Sequence, residues 1–124
     1  MPRILLIDDD EAVRTLLRMT LSRAGYEVIE ADDGQRGLQL LAESSVDLVI
    51  TDLVMPQKEG LETILELRRK NPSAKIIAIS GGGRMDPKVN LAVAEKFGAL
   101  RTLAKPFSQQ EILDAIAEVL EQRG

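Results

Sequence analysis

Four places in this chain carry side chains able to do chemistry together. Three consecutive carboxylates, Asp8, Asp9 and Asp10, follow the apolar run Ile4-Leu5-Leu6-Ile7. Asp52 follows Leu48-Val49-Ile50-Thr51, Ser80 follows Ile76-Ile77-Ala78-Ile79, and Lys105 follows Leu103-Ala104. The chain has no Cys and no His. That removes thiolate chemistry, the commonest base at neutral pH and the commonest transition-metal ligand. Carboxylate, hydroxyl, ammonium and guanidinium remain. Carboxylates held close together repel one another, a tension relieved by a proton or by a cation. With only oxygen ligands on offer, the fitting cation is hard: Mg²⁺ on one or two carboxylates, keeping several waters and accepting phosphate oxygens. An Asp beside such an ion is also a nucleophile towards phosphorus, and its product is an aspartyl phosphate. The ion, an ammonium and a hydroxyl would offset the charge on the transferring oxygens.

Each of these residues has a plainer explanation when taken alone. Carboxylates at a helix start are favoured by the dipole and by capping, and Asp10 in particular reads as a cap rather than a ligand. A single Asp after a strand serves in a turn, Ser80 before Gly81-Gly82-Gly83 reads as a flexible loop, and Lys105-Pro106 alone carries no signal. The chemical reading therefore depends on whether one fold brings the four places together.

The elements that would do so are legible as short aliphatic runs alternating with helical periods. Runs at Arg3–Ile7, Glu27–Ala31, Val46–Thr51, Lys75–Ile79 and Ala99–Ala104 predict five strands. After the first, Val13, Leu16, Leu17, Leu21 and Ala24 follow the stripe of an amphipathic helix that Gly25 stops. A second helix is expected from Asp33-Gly34, carrying Leu38 and Leu41. A third holds Leu61, Ile64 and Leu65 and ends before Asn71-Pro72. A fourth covers about 86–96, and a fifth opens with Ser108-Gln109-Gln110-Glu111, a capping box, and buries Ile112, Ile116, Val119 and Leu120. This is an α/β chain of (βα)5 type. Such alternation implies a doubly wound parallel sheet with right-handed crossovers. Five units suit the flavodoxin-like strand order 2-1-3-4-5, whose crevice lies at the carboxyl ends of the strands. All four reactive places fall at strand ends.

Composition narrows the partners. A chain of 124 residues is one domain, 1–124, with 44% hydrophobic and 29% charged residues. Sixteen basic against 20 acidic residues give a net charge of −4, which disfavours direct nucleic-acid binding or an anionic membrane surface. Tyr26, Phe97 and Phe107 are its only aromatics, too few for a base-stacking platform. No apolar run is long enough to span a bilayer and the start lacks a signal peptide. The expectation is a cytoplasmic protein.

Taken in order, Ile7-Asp8-Asp9, Asp52-Leu53-Val54-Met55-Pro56 with Gly60, Ser80, and Lys105-Pro106-Phe107 make the chain resemble, over essentially its whole length, the receiver domains of two-component response regulators, in their single-domain chemotaxis-type form. The resemblance implies that Asp52 accepts a phosphoryl group from a phosphohistidine on a sensor histidine kinase or histidine phosphotransfer protein. It implies Mg²⁺ ligated by Asp9, Asp52 and the backbone carbonyl of Val54, with Asp8 acting through a water. It gives Ser80 a hydrogen bond to the phosphoryl oxygen and Lys105 an ion pair with the phosphoryl group. Such a domain is no enzyme beyond its own phosphorylation and dephosphorylation. Its output would be a shift in the face formed by the 86–96 helix, the fifth strand and the last helix, read by an effector that the sequence does not name. The chain departs from the family's pattern at Thr102, where an aromatic is usual, and at Gly81, where Ala is usual. Signalling is therefore expected to use the Gly81–Gly83 loop and the 86–96 helix. The chain closes at the end of its last helix, as either a stand-alone receiver or a piece of a longer regulator.

Two other functions use similar residues. A haloacid-dehalogenase-type phosphatase needs an Asp-x-Asp nucleophile after its first strand, which Asp8-Asp9-Asp10 satisfies. It also needs a late pair of metal-binding Asp residues, which the chain lacks. A flavin carrier on the same fold would bring its phosphate against three repelling carboxylates.

Overall fold

Successive side chains along the strands point to opposite faces of the sheet, and both faces are buried, which builds two separate apolar layers. The computed structural model describes residues 2–52, 59–70, 74–80, 100–104 and 107–121, with the backbone alone for 59–64, 80 and 104. The elements are β1 (Arg3–Ile7), α1 (Glu11–Arg23), β2 (Glu27–Ala31), α2 (Gly34–Glu43), β3 (Leu48–Asp52), α3 (Glu59–Lys70), β4 (Ile76–Ser80), β5 (Arg101–Ala104) and a C-terminal helix (Gln109–Glu121). The sheet is parallel throughout, in the order β2-β1-β3-β4-β5. The expected 86–96 helix lies outside the described residues.

Ile4, Leu6, Leu48, Ile50, Ile77, Ile79 and Leu103 face Leu17 and Leu21 of α1 and Ile112, Ala115, Ile116 and Val119 of the C-terminal helix. Their sequence neighbours Leu5, Ile7, Val49, Ile76 and Ala78 face Leu67 of α3, with Leu38, Leu40 and Leu41 of α2 packed alongside. Doubly covered strands of this kind need apolar residues at successive positions, which is why the runs read as nearly continuous. Tyr26 packs, half-buried, against the first layer.

Local chemistry sets the ends of the helices. Gly25 has φ 96°, the left-handed conformation that terminates α1. The Asp33 carboxylate caps α2 by accepting from the Arg36 N–H at 2.8 Å. Ser108 and Glu111 satisfy one another's backbone N–H groups at 3.0 and 3.1 Å, so the expected capping box is present. Gly37 is required by a close approach. A Cβ built there would lie 2.4 Å from Cδ1 of Ile7, the last residue of β1.

Three expected core positions are corrected, the first being Ala24, which is exposed as the cap residue after α1. Leu16 is 55% and Leu65 45% exposed, whereas Leu67 is fully buried. Successive helical residues lie about 100° apart. The buried stripe of α1 runs through Leu17, Thr20 and Leu21, which turns Leu16 outward. Leu67 likewise lies far round the helix from Leu65.

Candidate functional site

The strand order makes β1 and β3 neighbours at the centre of the sheet. Ile7 pairs with Thr51, so the next residues, Asp8 just beyond β1 and Asp52 at the last position of β3, stand side by side. Oxygens of Asp8, Asp9 and Asp52 all lie within 4.8 Å of one another. Asp8 is 3% and Asp52 4% exposed, whereas Asp9 is exposed. Two carboxylates shielded from water and a third at the rim form an all-oxygen donor set. Taking charges out of water is costly unless opposite charge compensates, and oxygen donors of this kind suit a hard divalent cation. The group present therefore fits Mg²⁺.

Asp8 is held from several directions. Its N–H donates to the Ala31 carbonyl at 3.2 Å, extending the β1–β2 ladder by one rung. Its carboxylate accepts from the Asp10 N–H at 2.8 Å, and its carbonyl accepts from Arg14 Nη1 at 2.6 Å. Asp10 has the capping role expected of it. Its carboxylate accepts from the N–H groups of Ala12 and Val13 at 2.9 and 3.3 Å, and it is absent from the acidic cluster.

Ser80 ends β4, one residue beyond the Asp52–Ile79 pair, and its backbone pairs with Ala104 of β5. The Ser80 side chain, Val54, Lys105, Pro106 and the Gly81–Gly83 loop lie outside the described residues. Thr102 sits on β5 opposite Ala78. Sequence reasoning missed Arg14. Its one visible signal is a place four residues beyond the cap Asp10, where a long cationic side chain can turn back towards the strand end.

Comparison with known proteins gives a consistent picture. A family model described as the response regulator receiver domain matches residues 4–117. The transcriptional regulatory protein CpxR of Klebsiella pneumoniae is 36% identical over 98% of this chain and 50% of its own length. The sensor kinase CckA of Brucella abortus is 36% identical over 97% of this chain and 13% of its own. The chain thus spans about half the length of the CpxR relatives it matches. The crystal structure of a response regulator receiver domain protein from Clostridium thermocellum superposes with a TM-score of 0.88 at 31% identity, covering 97% of this chain and 94% of that one.

Proposed function

This chain belongs to the response regulator receiver domain family, and from that premise we propose that Asp52 is its phosphoacceptor. The carrying observation is the convergence of Asp8, Asp9 and Asp52 within 4.8 Å at the ends of adjacent central strands. In the proposed step, a carboxylate oxygen of Asp52 bonds to phosphorus as the P–N bond of a phosphohistidine breaks. The electron pair of that bond returns to the imidazole nitrogen, and the chain is left with an acyl phosphate. Asp9, Asp52 and the Val54 carbonyl would hold Mg²⁺, with Asp8 acting through a water. When bound, that ion supplies positive charge against the phosphoryl oxygens. The Ser80 hydroxyl would donate to a phosphoryl oxygen and the Lys105 ammonium would pair with its charge.

A receiver modifies its own side chain, so turnover of a second substrate is not part of this reading. The donor would be a sensor histidine kinase or histidine phosphotransfer protein; the similarity to a sensor kinase and to a transcriptional regulator supports placement within such a relay. Among the described residues no helix is long and apolar enough to cross a membrane, in keeping with a proposed cytoplasmic location. Phosphorylation would shift the face made by the 86–96 helix, β5 and the C-terminal helix, without an aromatic at position 102.

Intact-mass measurement after incubation with acetyl phosphate and Mg²⁺ tests the assignment. Wild type should gain one phosphoryl group and Asp52→Asn none. The same gain on Asp52→Asn would sink it.

A further inference from the structure

Arg14 closes a ring around the first strand end. Its Nη1 donates to the Asp8 carbonyl at 2.6 Å, and its Nε lies 3.5 Å from Glu30 Oε1. Glu30 precedes Ala31, whose carbonyl receives the Asp8 N–H. The two main-chain polar groups of Asp8 are thus tied to adjacent residues of β2, one directly and one through Arg14. The Arg14 side chain is only 16% exposed, and Glu30 26%. Both lie in the wall of a cleft between α1, the end of β2 and α2, with Arg18 and Arg36 beside them. Arg18 is bound to the other oxygen of the same carboxylate, Nη1 to Oε2 at 2.9 Å. One carboxylate therefore anchors two guanidiniums, of which one reaches the reactive end of the sheet.

We propose that Arg14 is a positioning residue for the metal site. It braces the Asp8 peptide against β2 and thereby fixes where the Asp8 and Asp9 carboxylates stand relative to Asp52. The inference rests on the metal reading above. Asp8 belongs to a cluster whose oxygens lie within 4.8 Å, so rotating the peptide after Asp8 would displace the Asp9 carboxylate from that cluster. A donor fixed at both ends prevents the rotation. Guanidinium suits this task because its rigid fork offers several N–H groups in different directions. Outer partners that orient metal ligands commonly contribute about 10- to 100-fold to metal affinity.

Mg²⁺ titration of wild type and three variants tests the brace, with folding of each confirmed by circular dichroism. Arg14→Met should lose roughly 10- to 100-fold in Mg²⁺ affinity. Arg14→Lys should recover most of it, because the three N–H groups of an ammonium can serve the Asp8 carbonyl and the Glu30 carboxylate together. Arg18→Met, which breaks an ion pair to the same Glu30, should bind as wild type does. Equal affinity of Arg14→Met and wild type would overturn the proposal, as would an equal loss in Arg18→Met. If Arg14→Met does not fold, Arg14→Lys and Glu30→Gln decide. Weaker metal binding in Glu30→Gln alone supports the brace, and any other outcome overturns it. A wild type that binds no Mg²⁺ would overturn the metal reading instead, so the two failures are told apart.

Discussion

Asp10 contributes nothing to the acidic cluster, yet it supports that cluster twice. Its carboxylate caps α1, and its N–H holds the Asp8 carboxylate at 2.8 Å. Replacing a capping Asp by Ala typically costs about 1 kcal/mol. Asp10→Ala should lower the urea midpoint accordingly while still accepting one phosphoryl group from acetyl phosphate; loss of labelling in a folded variant would give Asp10 a direct role instead. Thr102 poses the opposite question, because it is the position at which the chain departs from the receiver pattern, and its backbone pairs with Ala78 of β4. Thr102→Tyr should leave the extent of Asp52 labelling unchanged by intact mass. At this scale Asp8, Asp9, Asp52 and the capping role of Asp10 were legible from residue type and position after an apolar run. Arg14 was not, because its place four residues beyond the cap Asp10 does not by itself distinguish a hydrogen bond to a main-chain carbonyl from a solvated side chain.

Gly37 shows how tightly one element constrains another. A methyl group in mid-helix is favoured by up to about 1 kcal/mol over glycine. Here it would meet Ile7 Cδ1 at 2.4 Å and Cγ1 at 2.8 Å, and overpacking costs about 1–3 kcal/mol. The clash is the larger effect, so Gly37→Ala should lower the melting temperature even though it improves helix propensity. A rise in melting temperature would show that Ile7 repacks without cost. Since Ile7 directly precedes Asp8, the same substitution presses on the end of β1. Elements were legible where one signal dominated: β1 and β2 match their expected bounds residue for residue, and Gly25 and the Ser108–Glu111 box mark helix ends as expected. Leu16 and Leu65 misled because apolar residues in α1 and α3 occupy more than one face. Only packing then decides that Leu17 and Leu67 go inward. Thr20 was equally invisible as a core residue; it is buried with its hydroxyl donating to the Leu16 carbonyl at 2.9 Å.

At the scale of the whole molecule, three carboxylates gathered within 4.8 Å of one another repel, and a bound cation would offset that repulsion. Asp9→Ala should raise the melting temperature measured in chelator by relieving repulsion with Asp8 and Asp52, and should also weaken Mg²⁺ binding. A metal concentration a hundredfold above the dissociation constant stabilises a folded state by about 2.7 kcal/mol. Wild type should therefore melt higher with saturating Mg²⁺ than in chelator, while Asp9→Ala should show a much smaller difference by scanning calorimetry. Equal metal-induced shifts in the two proteins would remove Asp9 from the ligand set. The sheet also divides the interior into two layers, and Tyr26 packs against the layer shared by α1 and the C-terminal helix. The chain has one tyrosine and no tryptophan. Its intrinsic fluorescence is consequently a one-site optical gauge that looks at one side of the sheet. Circular dichroism at short wavelength, by contrast, averages the helices of both sides. Superimposable denaturation curves from the two signals would mean that both layers melt in one cooperative event, which is the expected result for strands that serve as a common wall. An emission change that runs ahead of the ellipticity would mean that the Tyr26 side opens first.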